Sequence, residues 1–165
     1  MAVRRVYVSG PMSTKTFTVD STSACPIGVF VETADTATTA PKLVENVLVY
    51  PGTANVSRCV GITYQGDFKG KYASATGTGI GTAQTQNSVA ASDKVTCITL
   101  GCGGIVEAFA GTANLLPGQD LIVSDGGSVT SAAASSNVLS DWQRRVGRAL
   151  THSSAASDKV LMILM

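Results

Sequence analysis

The chain has 165 residues, a length suited to one domain with its own hydrophobic core. Apolar residues make up 44%, enough to fold, but charged residues make up only 14% and the net charge is +1. That balance argues against a nucleic-acid binder, which needs clustered Lys and Arg to neutralise phosphates, and it leaves little charge to hold the surface away from other protein.

The first residues, MAVRRVYVSGPM, carry Arg4 and Arg5 but no apolar core of signal-peptide length. No run approaches the ~20 apolar residues of a membrane span. The expectation is a chain made in the cytoplasm, without membrane contact. Short alternating or apolar runs then recur, separated by Gly, Pro, Asn, Asp and Ser. In order they are Val6 to Gly10, Thr16 to Val19, Ile27 to Thr33, Val47 to Tyr50, Cys59 to Gly66, Val95 to Leu100 and Gly104 to Ala110. Asp120 to Thr130 reads as strand, tight turn and strand, with Asp125-Gly126-Gly127 supplying the positive φ of a hairpin turn. Arg144 to Leu150 and the terminal Val160 to Met165 complete the series. Helical signal is confined to Ser140 to Leu150, where Ser140 is a cap candidate and Gly147 weakens the pattern. Thr33 to Lys42, Lys69 to Ser88 and Ser131 to Asn137 read as surface excursions. The fold class expected is all-β, a small β-barrel or sandwich with long flexible loops and an extended N-terminal arm.

One stretch occurs twice. SVAASDKVTCITL runs from Ser88 and SSAASDKVLMILM from Ser153, with Ala-Ala-Ser-Asp-Lys-Val identical in both. Upstream, RCVGIT (Arg58 to Thr63) resembles RRVGRAL (Arg144 to Leu150), and NVLVYPG (Asn46 to Gly52) resembles DLIVSDG (Asp120 to Gly126). The division expected is residues 1–41 as arm and first strands, then a domain over 42–165 with related halves at 42–100 and 115–165. Ala-Ser-Asp-Lys is a turn in which Ser and Asp bond nearby amides. The strand after the second copy is apolar throughout, so both its faces are expected to be buried, in the barrel or at a subunit contact.

Catalytic constellations are not visible. His152 is the single histidine, and its neighbours Ser153 and Ser154 do not make a triad, which is a matter of spatial geometry. Gly77 to Thr82 lacks the spacing and the helix of a dinucleotide fingerprint. Gly66 to Tyr72 is a residue short of a phosphate loop and has Tyr72 where Ser or Thr binds magnesium. Cys25, Cys59, Cys97 and Cys102 lack zinc spacing and are expected as free thiols of a reducing compartment. No catalytic, cofactor or metal residue is assigned, and the chain is expected to act by binding. Trp142, with Arg144, Arg145 and Arg148 nearby, is a candidate partner contact, and packing on its own barrel is the plain alternative. Arg4 and Arg5 are candidates through an arm that reaches a neighbouring subunit.

The C-terminal third resembles the tailed-bacteriophage head decoration, or capsid cement, proteins. Leu116-Pro117-Gly118-Gln119-Asp120, Asp125-Gly126, Val146-Gly147-Arg148-Ala149-Leu150 and Asp158-Lys159-Val160 carry the resemblance. It covers Leu115 to Met165 well, Lys42 to Leu100 more weakly, and residues 1–41 not at all. It implies a small β-rich virion protein bound to the major capsid protein at capsomer junctions on the head surface. It also implies a homo-oligomer, a trimer by analogy, with no direct nucleic-acid contact. A receptor- or glycan-binding module of a spike or baseplate is the alternative, weakened by only 5% aromatic residues for stacking on sugars. A small hydrolase fits least.

Overall fold

The computed structural model describes residues 6–22, 24–34, 46–49, 59–66, 88–132 and 144–165. Most of the three expected excursions lies outside these residues, as do Arg4, Arg5 and Trp142.

The described chain is built almost wholly of strands. They are β1 (Tyr7–Ser9), β2 (Thr14–Val19), β3 (Cys25–Pro26), β4 (Phe30–Thr33), β5 (Asn46–Val49), β6 (Cys59–Gly66) and β7 (Ser88–Val89), then β8 (Lys94–Thr99), β9 (Ile105–Phe109), β10 (Asp120–Val123), β11 (Val129–Ser131), β12 (Arg145–Ala149) and β13 (Lys159–Leu164). The all-β expectation holds. A 3₁₀ turn at Asp125–Gly127, with Gly126 and Gly127 at φ 66° and 70°, makes the expected hairpin between β10 and β11. The segment with helical signal forms β12 over Arg145–Ala149, because its Val146 and Ala149 are buried and Gly147 is needed in the sheet.

Strand pairing sorts into two units. In the first, β2-β5-β4-β6-β8 closes on itself, every pair antiparallel except the short parallel seam of Thr18 with Asn46 and Val19 with Val47. In the second, β9-β13-β12-β10-β11 runs in one sheet with β1 added to the β9 edge. Its far end curls back until Ala110 meets Val129 in a parallel bridge.

The strand pairing of the two units corresponds strand for strand. Gly61 pairs with Thr99 as Gly147 pairs with Leu164. Val31 pairs with Gly61 as Leu121 pairs with Gly147, and both pairings slip by a bulge at the next residue, between Val31 and Glu32 and between Leu121 and Ile122. Val31 faces Val49 as Leu121 faces Ser131. Thr14 faces Ile98 as Ile105 faces Ile163. The Val19–Val47 seam recurs as Ala110–Val129. Hydrogen bonds repeat too. Val19 N–H donates to Asp93 O and Ala110 N–H to Asp158 O, each at 2.8 Å. Ser92 N–H donates to Val19 O at 3.0 Å and Ser157 N–H to Ala110 O at 2.7 Å. Those two serines sit at φ 66° and 69°, the left-handed turn position of the shared Ala-Ser-Asp-Lys sequence.

The repeat therefore starts at β2, not at residue 42. The residues read as arm and first strands supply β2 and β4 of the first unit, and Val6 is buried beside β1. The expected match of NVLVYPG to DLIVSDG is also corrected. The counterpart of β10 is β4, and the counterpart of β5 is β11. Leu100 to Gly104 links the units, turned by Gly101 and Gly103 at φ 78° and 74°.

One hydrophobic core runs through both units. Phe17, Val19, Val47, Val95 and Cys97 point into the first ring, and Ala108, Leu121, Val129, Val160 and Met162 into the second. Alternation does the sorting, since successive strand side chains take opposite faces. The terminal strand obeys it despite having no polar residue after Lys159. Val160, Met162 and Leu164 are buried, but Leu161 and Ile163 are only half-buried. The expectation of burial on both faces fails for the outer one within this chain.

Candidate interaction surface

The candidate residues that are described lie at the start of β12. Arg145 Nη2 bonds Asp120 Oδ1 at 2.8 Å and also lies 3.5 Å from Met165 Sδ. Arg148 Nε bonds the same carboxylate oxygen at 3.0 Å. Asp120 opens β10 directly across from Arg148, so the sheet register itself brings them together. Half-exposed pairs of this kind contribute ~0–1 kcal/mol each, and two arginines sharing one oxygen leave a net positive patch. Arg144 sits in the turn before β12 and is half-buried, and its carbonyl accepts from Val123 N–H at 3.0 Å. On the same sheet Lys159 Nζ pairs with Glu107 at 2.8 Å.

Arg144 and Arg145 stand out in the sequence as contact candidates, whereas Asp120, Leu150 and Met165 carry no sequence signal that marks them as surface contacts. Alternation along β12 and β13, counted outward from the buried Ala149 and Met162, places Leu150 and Leu161 on the outer side.

The shared turn is a structural device. Asp158 Oδ2 accepts from Ser154 N–H and Oγ–H at 3.0 Å and from Ala155 N–H at 2.8 Å. The Ala155 amide and the Ser154 hydroxyl lead in holding its carboxyl below the ordinary 3.8. His152 stands exposed and adds a small favourable charge to Asp158. Asp20 is held low in the same way by the Thr22 hydroxyl and amide, at 2.6 and 2.9 Å.

None of the four cysteines is in a disulfide. Burial pushes the Cys25 and Cys59 thiols up to about 12 and raises Cys97 further. A thiol that resists ionisation is a poor nucleophile or metal ligand. Among the described residues no cluster of His, Cys, Asp or Glu is large enough to hold a metal ion, and no helix is long and apolar enough to cross a membrane. A shallow depression between Phe109, Gly111, Asp125, Ser128 and Ser157 holds one carboxylate and two hydroxyls but no base or cation beside them. Its Ser128 Oγ–H already donates to Asp125 O at 2.8 Å.

The fold thus defines a class: an all-β protein of two tandem five-stranded units whose distinctive surface among the described residues is a sheet face. No family model matches the chain, and no curated protein matches it. Among solved structures, the chain is similar in fold to the head fiber gp8.5 N base of bacteriophage phi29. The TM-score is 0.52 at 10% sequence identity, over 93% of this chain and 94% of that one.

Proposed function

We propose that this chain is a bacteriophage virion structural protein that sits on the head as a capsid decoration, or cement, protein. It binds the outer surface of the major capsid protein lattice as a homo-oligomer, for which a trimer is the working number by analogy, and it stabilises the shell without catalysing a reaction. The observation that carries this reading is the fold likeness to a phage head fiber base along nearly the full length of both chains. The decoration-protein pattern from Leu116 to Val160 and the charge-poor composition support it independently.

The mechanism is burial of area. A protein that bridges capsomers and binds only the assembled lattice stabilises that lattice by the free energy of its binding. Residues 1–5, Thr33 to Lys42 and Lys69 to Ser88 are the segments assigned to the shell, together with Trp142, Arg144 and Arg145. The test is addition of the purified chain to heads that lack it, read by co-sedimentation and by resistance of the filled head to heat. Binding with a higher rupture temperature supports the reading. Failure to bind, or heads equally resistant without the chain, overturns it. Clear hits in a glycan screen together with no head binding favour the receptor-binding module instead.

A further inference from the structure

Because the units match strand for strand, each outward residue of one has a counterpart on the other. On the first unit the outward row Phe30, Ile62, Ile98 is fully buried. Gly127 of the second unit lies so close to that row that a Cβ on it would meet Phe30 O at 2.4 Å. The outer side of the first unit is therefore covered, at Phe30, by the Asp125–Gly127 turn of the second.

On the second unit the counterparts of that row are Asp120, Arg148 and Ile163, none of them fully buried, and an apolar stripe lies beside them. Ile105 lies across from Ile163 on it, and Glu107 across from Leu161. Leu150 N–H donates to Leu161 O at 2.7 Å, which sets Leu150 beside Leu161. Met165 continues the row past Ile163. Leu150 and Met165 are 43% and 46% exposed, among the most exposed large apolar side chains described. The first unit is polar where this stripe is apolar. Thr14 stands for Ile105 and Thr96 for Leu161, and Gln65 is the partner of Thr96 where Leu150 is the neighbour of Leu161. The Thr96 hydroxyl there bonds that of Thr16 at 3.0 Å. Charged groups flank the stripe on both sides, Glu107 with Lys159 on one and Asp120 with Arg145 and Arg148 on the other.

We propose that this outer face of the second unit is a self-association surface on which a second copy of the chain packs. An apolar stripe with a charged rim is the anatomy of a protein interface. Its rim carries both signs, two acids and three bases, so an identical face meets opposite charges instead of a field of one sign. The proposal names the face behind the homo-oligomer of the functional reading. It concerns the isolated chain, so its failure is read separately from failure to bind heads.

The experiment measures the mass of the full chain by light scattering and its sedimentation across the micromolar range. The wild type is expected to exceed the monomer mass. Leu150→Asp and Leu161→Asp are each expected to weaken association at least tenfold. Gln65→Asp, at the counterpart of Leu150, leaves it unchanged. Circular dichroism confirms that each variant is folded, and Leu150 is exposed enough for its replacement to be tolerated. A wild type that stays monomeric throughout overturns the proposal. So do folded Leu150→Asp and Leu161→Asp variants that keep the wild-type mass, or a Gln65→Asp variant that dissociates as they do.

Discussion

Thr63 shows how a single polar side chain fixes a local shape. Its hydroxyl is fully buried in β6. It accepts from Gly28 N–H at 2.7 Å and Val29 N–H at 3.1 Å, and lies 2.8 Å from the Pro26 carbonyl to which it donates. The Thr63 main chain also bonds the turn between β3 and β4, accepting from Gly28 N–H at 2.8 Å and donating to Val29 O at 2.9 Å, and the side chain adds the bond to Val29 N–H. Thr63→Val keeps the shape and removes the hydroxyl, so the Val29 amide and the Pro26 carbonyl lose that partner at ~1–3 kcal/mol, while Gly28 N–H keeps Thr63 O. Chemical denaturation is expected to show a lower midpoint with an unchanged slope. The two turn aspartates work at the surface by the same logic. Their carboxyls are held low, so the stability they add is present above the ordinary 3.8 and is lost as pH falls through their own lower values. Thermal melts are expected to be level from about pH 7 to about pH 5 and to fall below about pH 4. Asp158→Asn should lower stability at neutral pH and flatten that acid fall. An acid fall as steep in the variant as in the wild type would show that the carboxylate has no part in it.

At the scale of the element, the two Val-Gly strands make the same demand at matched sites. A Cβ on Gly61 would lie 2.2 Å from Ile98 O, and one on Gly147 would lie 2.1 Å from Ile163 O. These contacts are with backbone, which cannot swing away. Gly61→Ala and Gly147→Ala are each expected to cost ~1–3 kcal/mol or more, seen as a drop in Tm. Normal stability in either would break the equivalence of the units. The terminal strand gives a paired contrast. Met162→Asp places an unpaired charge in the core and is expected to prevent folding or cost several kcal/mol. Ile163→Asp lies on the outer side and is expected to leave the fold intact, as circular dichroism on the two proteins would show.

The same comparison explains what was legible in the sequence. The Ala-Ser-Asp-Lys-Val copies were readable because a turn with a serine in the left-handed region tolerates few side chains, and in the second copy Asp158 also binds its amides. The hairpin at Asp125-Gly126-Gly127 was readable for a similar reason. The match of β2 to β9 and of β4 to β10 was not, because those strands keep only the alternation of inward and outward positions. Thr-Lys-Thr-Phe-Thr and Ile-Val-Glu-Ala-Phe share no letter at any aligned site. Of the candidate surface, the arginines stood out as charges, but the apolar stripe depended on which side of β13 faces the core, and register settles that.

For the molecule as a whole, duplication organises everything described. Two small units, each too slight to make a large core, share one continuous core through the contact of Gly127 with Phe30. The first unit buries its outer apolar row of Phe30, Ile62 and Ile98, whereas the second has Asp120, Arg148 and Ile163 at those positions and leaves them partly exposed. A chain with 14% charged residues and net charge +1 gains little solubility from repulsion and is suited to being covered. The proposed place of that covering is the surface of a phage head. The most direct test is a cryo-EM map of heads incubated with the purified chain, beside heads that lack it. The account predicts added density on the outer surface of the major capsid protein lattice, at regular capsomer junctions, into which the two tandem units fit. Heads identical with and without the chain, or density confined to the tail or the interior, would contradict it.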